Sequence, residues 1–293
     1  MSRPTRYRVS HETVYDYGSD VVHSHQLLHL VPRPAPYQQC LEHRIDISPA
    51  GYRRRDGIDP FGNPVTRVEF EHPHRRLEVV TDMEVEVYPR PNILASDTIA
   101  WERAAFEPSY HGRPPARENL EACRFRHESP YVRVKGMFTE FAEDCFPSGQ
   151  PVLACAEALM TKLYRELQYA PGATTVATPV TEVLERRCGV CQDFAHLMIS
   201  CLRSRGLAAR YVSGYVRSLV GAAASHAWVA VYAPPFGWLE LDPTNDKPAG
   251  TDHIAIAWGR DFGDVSPLRG VILGGGTHRL SVSVQVERLE HPQ

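Results

Sequence analysis

The run CQDFAHLMISCLRSRG, Cys191 to Gly206, constrains the fold more tightly than any other stretch of the chain. Phe194, Ala195, Met198, Ile199 and Leu202 recur at helical spacing and form one broad apolar face, and Gly206 stands where a helix ends in a left-handed residue. Three strand-like runs follow, ARYVSGYVRS, SHAWVAVYAPP and GWLELDPTND. In the second, His226, Trp228, Ala230 and Tyr232 share one face while Ala227, Val229 and Val231 share the other. In the third, Trp238, Glu240 and Asp242 oppose Leu239 and Leu241. The pattern predicts a largely buried helix packed on an antiparallel sheet.

Cys191 falls in the first turn of that helix. The unsatisfied N–H groups and dipole of a helix N-terminus stabilise negative charge, and the thiolate is the nucleophilic form of cysteine, so the position favours reactivity. A three-residue loop at 233–235 would set Tyr232 opposite Phe236 and therefore His226 opposite Asp242. Directly opposed side chains have Cβ atoms about 4.5 to 5.5 Å apart, close enough for a carboxylate to bond an imidazole, and a two-residue shift would leave the pair diagonal. A cysteine nucleophile needs a base, and the base needs a group to orient it. Cys191, His226 and Asp242 supply these in order.

Upstream, the texture differs. To about Arg90, alternating runs separated by turn signals (TRYRVSHETVYDY, HQLLHLVPRP, LEHRIDIS, DPFGNPVTRVEFE, LEVVTDMEVEVYPR) read as antiparallel strands. Between Pro89 and Pro115 several prolines and little periodicity suggest a surface linker, and helical spacing returns in KGMFTEFAEDCF and PVLACAEALMTKLYREL. The division expected is a β-rich, sandwich-like domain at 1–100, a linker and helical connection at 101–150, and an α+β core at 151–293.

At 293 residues and 43% hydrophobic, the chain can bury two sizeable cores. A net charge of −3, with no basic run longer than Arg53-Arg54-Arg55, argues against nucleic acid as a partner. No uncharged apolar stretch is long enough to span a bilayer and the first residues lack a signal-type apolar run, so no membrane contact and a cytoplasmic location are expected. Seven scattered cysteines do not form the framework of a small secreted domain.

GVCQDFAHL, ARYVSGY, SHAWVAVY and LDPTND, in that order, resemble the bacterial transglutaminase-like superfamily. YRVSHETVYDY resembles the β-rich N-terminal domain found with that core, and WGRDFGDVSPLRGVILGGG its C-terminal segment. The resemblance implies a papain-like core with Cys191 as nucleophile, His226 as its histidine and Asp242 as its acid, working through a thioester on peptide or protein amides without a cofactor. The animal enzymes that name the superfamily have glutamine before the cysteine and tryptophan after it. Here Val190 precedes and Gln192 follows, and no calcium-loop pattern is visible. Peptidase or amidase activity is therefore the first expectation, transglutaminase or peptide-ligating activity the second, and a catalytically silent binding module the alternative of another class. The N-terminal β domain is the expected recognition or protein-partner surface.

Other residues divide between chemistry and packing. Tyr169 is a candidate second oxyanion donor or substrate contact; Trp228 and Trp238 could wall a substrate groove or pack across strands; Arg260 and Asp261 would lie near the cleft by resemblance. His196 and Asp193 read as a core histidine and a helix-terminus acid. Cys188, Cys191, His196 and His226 could supply four zinc ligands, but no second CxxC knuckle accompanies them, so no metal is expected.

Overall fold

The computed structural model describes residues 4–107, 117–217 and 225–289. Five strands open the chain: β1 (Thr5–Leu28), β2 (Gln38–Ser48), β3 (Arg53–Ile58), β4 (Pro64–Phe70) and β5 (His74–Val87). They form an antiparallel sheet in the order β2-β5-β1-β4-β3. Side-chain alternation explains the arrangement: Leu77, Val79, Met83, Val85 and Val87 of β5 all point inward and are buried.

The helices α1 (Trp101–Phe106), α2 (Arg117–Cys123), α3 (Gly136–Phe141) and α4 (Val152–Glu166) follow. Phe138 and Ala142 are fully buried in the same core as Val152, Ala156, Leu159 and Leu163 of α4. Ala104 is buried in this core too, with Ile99 and Trp101 packed against it, so the Pro89–Pro115 segment read as a surface linker supplies core side chains; residues 108–116 lie outside the described residues. Next come β6 (Gln168–Tyr169), α5 (Val180–Arg186), β7 (Cys188–Gly189) and α6 (Cys191–Ser204). A five-stranded sheet is built from β8 (Ala209–Val216), β9 (His226–Tyr232), β10 (Trp238–Asp242), β11 (Lys247–Pro248) and β12 (His253–Gly259), in the order β11-β10-β9-β8-β12. The short α7 (Phe262–Val265) leads to β13 (Leu268–Gly274) and β14 (His278–Leu289). The class is α+β, as the sequence predicts.

α6 is buried nearly all round and packs on β9 and β8. Its end has the geometry expected at Gly206, whose φ is 79°: the Gly206 N–H donates to Arg203 O and the Leu207 N–H to Leu202 O, a Schellman closure. Ala227, Val229 and Val231 face α6, while Trp228 and Ala230 face the opposite side of the sheet.

Two features depart from expectation, and a third has no signal in the sequence. β13 and β14, placed by sequence in the 151–293 core, instead pair with β1 of the N-terminal sheet. That pairing spans 240 residues or more (Thr13 with Val282, for example) and leaves no local signature. The β9–β10 connection runs from Ala233 to Gly237 rather than 233–235, so Tyr232 pairs with Trp238 and not with Phe236. Ala233 N–H to Gly237 O at 2.7 Å and a left-handed Gly237 (φ 79°) close this longer turn. Finally, the free edge of β12 is covered from the N-terminal half. The Gln38 side chain bonds both backbone groups of Ala255 (2.6 and 2.9 Å), and Asn63 does the same for Trp258 (2.9 and 3.0 Å).

Candidate active site

The approach to α6 is set by Gly189 and Asp193. Asp193, third residue of the helix, turns its carboxylate back to accept the Val190 N–H at 2.8 Å and the Thr174 hydroxyl at 2.6 Å. Burial pushes its pKa up, and the two hydrogen bonds oppose that shift. A Cβ on Gly189 would lie 2.5 Å from an Asp193 carboxylate oxygen, so only glycine permits this closure. Cys191 is thereby held as the first residue of α6, 9% exposed, with an N–H that has no intrahelical partner.

His226 opens β9 and is 1% exposed. The two-residue register shift leaves it diagonal to Asp242, yet His226 Nε2 meets Asp242 Oδ2 at 2.8 Å. With Nε2 so engaged, Nδ1 is the nitrogen available to Cys191. Burial alone would lower the basicity of the ring; hydrogen bonding and charge from Asp242, joined by the Cys191 thiol, outweigh it and raise the pKa to about 10. Nδ1 itself has no partner that meets hydrogen-bond geometry, so the thiol acts on the ring through a loose contact.

Asp242 is fully buried and heavily solvated by protein. Oδ2 also accepts from Asn245 Nδ2 at 2.7 Å and from His253 Nε2 at 3.1 Å, and Oδ1 accepts the Thr244 N–H at 3.0 Å. Burial opposes the charged form, but hydrogen bonds and charge from His226 and His253 hold the carboxyl well below the usual carboxylate range. Beyond it, His253 Nδ1 lies 2.8 Å from Asp252 Oδ1, and Asp252 Oδ2 accepts Lys247 Nζ at 2.7 Å. The chain of contacts runs from His226 through Asp242, His253 and Asp252 to Lys247. Sequence reasoning missed His253, because a histidine beginning an apolar strand is indistinguishable from a core residue. Asn245 carried a fainter signal, three residues past Asp242 in a turn-forming DPTND.

The remaining candidates separate. Tyr169 comes close: β6 pairs with β7 so that Tyr169 lies beside Gly189, and the pKa of its phenol is raised by burial and then by Cys191. Trp228 does not wall a groove. It is fully buried, stacks on the His226 ring (centroids 6.1 Å), meets His253 edge-on at 5.1 Å and donates its N–H to Glu240 at 2.6 Å. It supports both rings from beneath. Trp238 packs against Phe125 and Tyr232 under the Arg210 guanidinium. Arg260 is held by Asp264 at 2.8 and 2.9 Å, and Asp261, fully buried, caps α7 and accepts the Tyr131 N–H. Trp238, Arg260 and Asp261 are thus all committed to packing or to intramolecular bonds.

His196 is a core histidine. It lies stacked between Tyr131 and Tyr211, accepts the Phe262 N–H at 3.2 Å, and burial lowers its pKa to about 3. The four residues weighed as zinc ligands do not converge. Among the described residues the groups with metal-ligand spacing are His226 with Asp242 and His253, and His23 with His25 and Glu69.

A cysteine at the start of a buried helix thus lies beside a strand-borne histidine bonded to a buried aspartate, an arrangement like that of papain-like sites. The chain belongs to the transglutaminase-like superfamily: residues 7–86 match the bacterial transglutaminase-like N-terminal region and residues 139–243 the transglutaminase-like superfamily core. An uncharacterized protein of Mycobacterium tuberculosis is 36% identical over 303 residues, covering 99% of this chain and 95% of the relative. A protein-glutamine gamma-glutamyltransferase of Pseudomonas aeruginosa is 27% identical over 150 residues, 46% of this chain and 19% of the relative. The fold matches that of a Cytophaga hutchinsonii protein provisionally described as a cysteine protease. The TM-score is 0.78 at 19% identity, covering 100% of this chain and 93% of the other.

Proposed function

We propose that this protein is a cysteine-dependent acyl-transfer enzyme acting on amide bonds, with hydrolysis as its main outcome. The observation that carries the reading is the buried 2.8 Å bond between His226 Nε2 and Asp242, which leaves Nδ1 for the thiol at the start of α6.

In the first step sulfur, its proton already held on Nδ1 of the imidazolium, attacks the carbonyl carbon of a carboxamide or peptide bond. The oxyanion is met by the Cys191 backbone N–H, with the Tyr169 hydroxyl as the second donor. The amide nitrogen leaves with the proton held on His226, and a thioester remains on Cys191. Water, deprotonated by Nδ1, then attacks the thioester, releasing the acid and the Cys191 sulfur, with the proton kept on Nδ1 as at the start. Asp242 remains ionised throughout; it fixes the ring and stabilises the imidazolium.

A primary amine in place of water gives transamidation. The similarity to the gamma-glutamyltransferase of P. aeruginosa favours this second reading. One experiment separates the two. Wild-type protein is incubated with a panel of acyl-peptide p-nitroanilides, with and without a primary amine, and intact mass is followed with peptide mapping. An acyl adduct on Cys191 that resolves to free acid supports hydrolysis; amine-capped product supports transamidation. No adduct in wild type, or one that persists in Cys191→Ala, sinks both.

A further inference from the structure

The N-terminal sheet carries a cation row that its own fold does not neutralise. Register sets Arg55 of β3 opposite Arg67 of β4, Arg67 opposite Leu27 of β1, and Leu27 opposite Arg269 of β13. Directly opposed residues of antiparallel strands share a face, so three exposed arginines stand in one line across four strands. They line a cavity of about 550 Å³. Nearby arginines on the same sheet meet carboxylates: Arg44 with Asp46, Arg53 with Glu71, Arg54 with Asp56. Among the described residues, no carboxylate lies within ion-pair distance of Arg55, Arg67 or Arg269, and Arg269 donates only to the Gly263 carbonyl. Of the neighbouring acids, Glu69 lines the same cavity and meets the His25 imidazole, Asp59 bonds His29 and Asn63, and Asp264 pairs with Arg260.

Like charges directly opposed across strands weaken a sheet. The Arg55–Arg67 pair therefore works against folding, in a chain whose net charge of −3 gives no general excess of cations to explain it. A second cavity of about 490 Å³ shares Arg67 and Arg269 and adds Arg124; Arg260, Asp264 and Asp59 also line it, with Arg260 paired to Asp264.

We propose that this arginine row binds an extended acidic peptide segment. Guanidinium forks match carboxylates in bidentate geometry. Three strand steps of about 4.8 Å spread the row over roughly 14 Å, too far for one phosphate or carboxylate to reach every member. Alternate side chains of an extended peptide recur about every 6.8 Å, so successive acidic residues can reach successive arginines. Leu27 between Arg67 and Arg269 gives the peptide an apolar floor. The proposal does not depend on the chemistry at Cys191.

Fluorescence anisotropy of the full chain with a labelled decaglutamate peptide tests it. Decaglutamate binds saturably and decaglutamine does not, added salt weakens the complex, and equimolar inorganic phosphate does not compete. Arg67→Gln weakens binding about tenfold, the loss of one charge-assisted pair. Arg55→Glu turns the repulsive cross-strand pair into an attractive one, so it keeps or raises the thermal midpoint while binding falls, which separates the effect from misfolding. The proposal is overturned if binding is absent, if both variants bind as wild type does, if phosphate competes at equal concentration, or if a single-stranded oligonucleotide binds the same row more tightly.

Discussion

Replacing Asp242 by asparagine keeps the volume of the side chain and removes its charge. In the wild type three donors, from His226, Asn245 and His253, converge on Oδ2, and the Thr244 N–H reaches Oδ1. An amide has a single oxygen. If that oxygen stays with the three donors, its NH2 faces the Thr244 N–H; if it flips, the three lose their acceptor. The less costly orientation still leaves two buried donors, the Thr244 N–H and the new NH2, without an acceptor, about 1–3 kcal/mol each, and weakens the surviving bonds because they no longer meet an ion. A loss of about 3 kcal/mol at neutral pH lowers the thermal midpoint by roughly 5–10 °C. His226 also loses the first of the influences that raise its pKa, so burial prevails and the ring titrates far lower. Differential scanning calorimetry and histidine NMR titration of Asp242→Asn read the two effects separately. A midpoint within about one degree of wild type, together with an unmoved His226 titration, would refute the account of this cluster.

Further outcomes follow from the same geometry. Asp242 and Asp252 have depressed pKa values, so the stability they contribute is present above the ordinary aspartate pKa of about 3.9 and lost as pH falls through the folded values. The midpoint should drop steeply below about pH 4, and Asp252→Asn should flatten that limb. For His226 the sign is opposite: its raised pKa contributes stability below pH 6.5 that is lost as pH climbs through about 10, and His226→Gln should remove this alkaline loss. Gly189→Ala forces Asp193 away from the start of α6 and should cost about 1–2 kcal/mol, as lost caps do, measured by urea unfolding. His253→Ala removes one charge-assisted bond to Asp242; about 2 kcal/mol of stability should go, with a smaller loss of Cys191 reactivity than in His226→Ala.

What was legible in the sequence was local. The periodicity of α6, its Gly206 closure and the alternation along β9 and β10 depend on neighbours in the chain, and each formed as its pattern implies. His226 and Asp242 could be paired because a diagonal neighbour on an antiparallel ladder is still within reach, even though the turn proved longer than the shortest loop. Turn length was not legible: Ala233 to Gly237 could close in several ways, and the Ala233 N–H to Gly237 O bond that closes it leaves no distinctive residue pattern. Nor was His253, which enters the site from β12, a strand that joins β8 and not β10. For Trp228 the sequence leaves a substrate wall and cross-strand packing both open. Sharing a strand face with His226 suggested a substrate wall, but that face is covered by Tyr37 and its neighbours from the N-terminal half, so the indole became a buried support. The capture of β13 and β14 by β1 likewise depends on contacts that no local pattern announces.

The central claim is that His226 activates Cys191. The pH dependence of iodoacetamide alkylation, with peptide mapping, on wild type, His226→Ala and Cys188→Ser tests it most directly. The account predicts rapid labelling confined to Cys191 below neutral pH, lost in His226→Ala and retained in Cys188→Ser. Slow labelling that follows an ordinary thiol profile and is the same in all three proteins would contradict it.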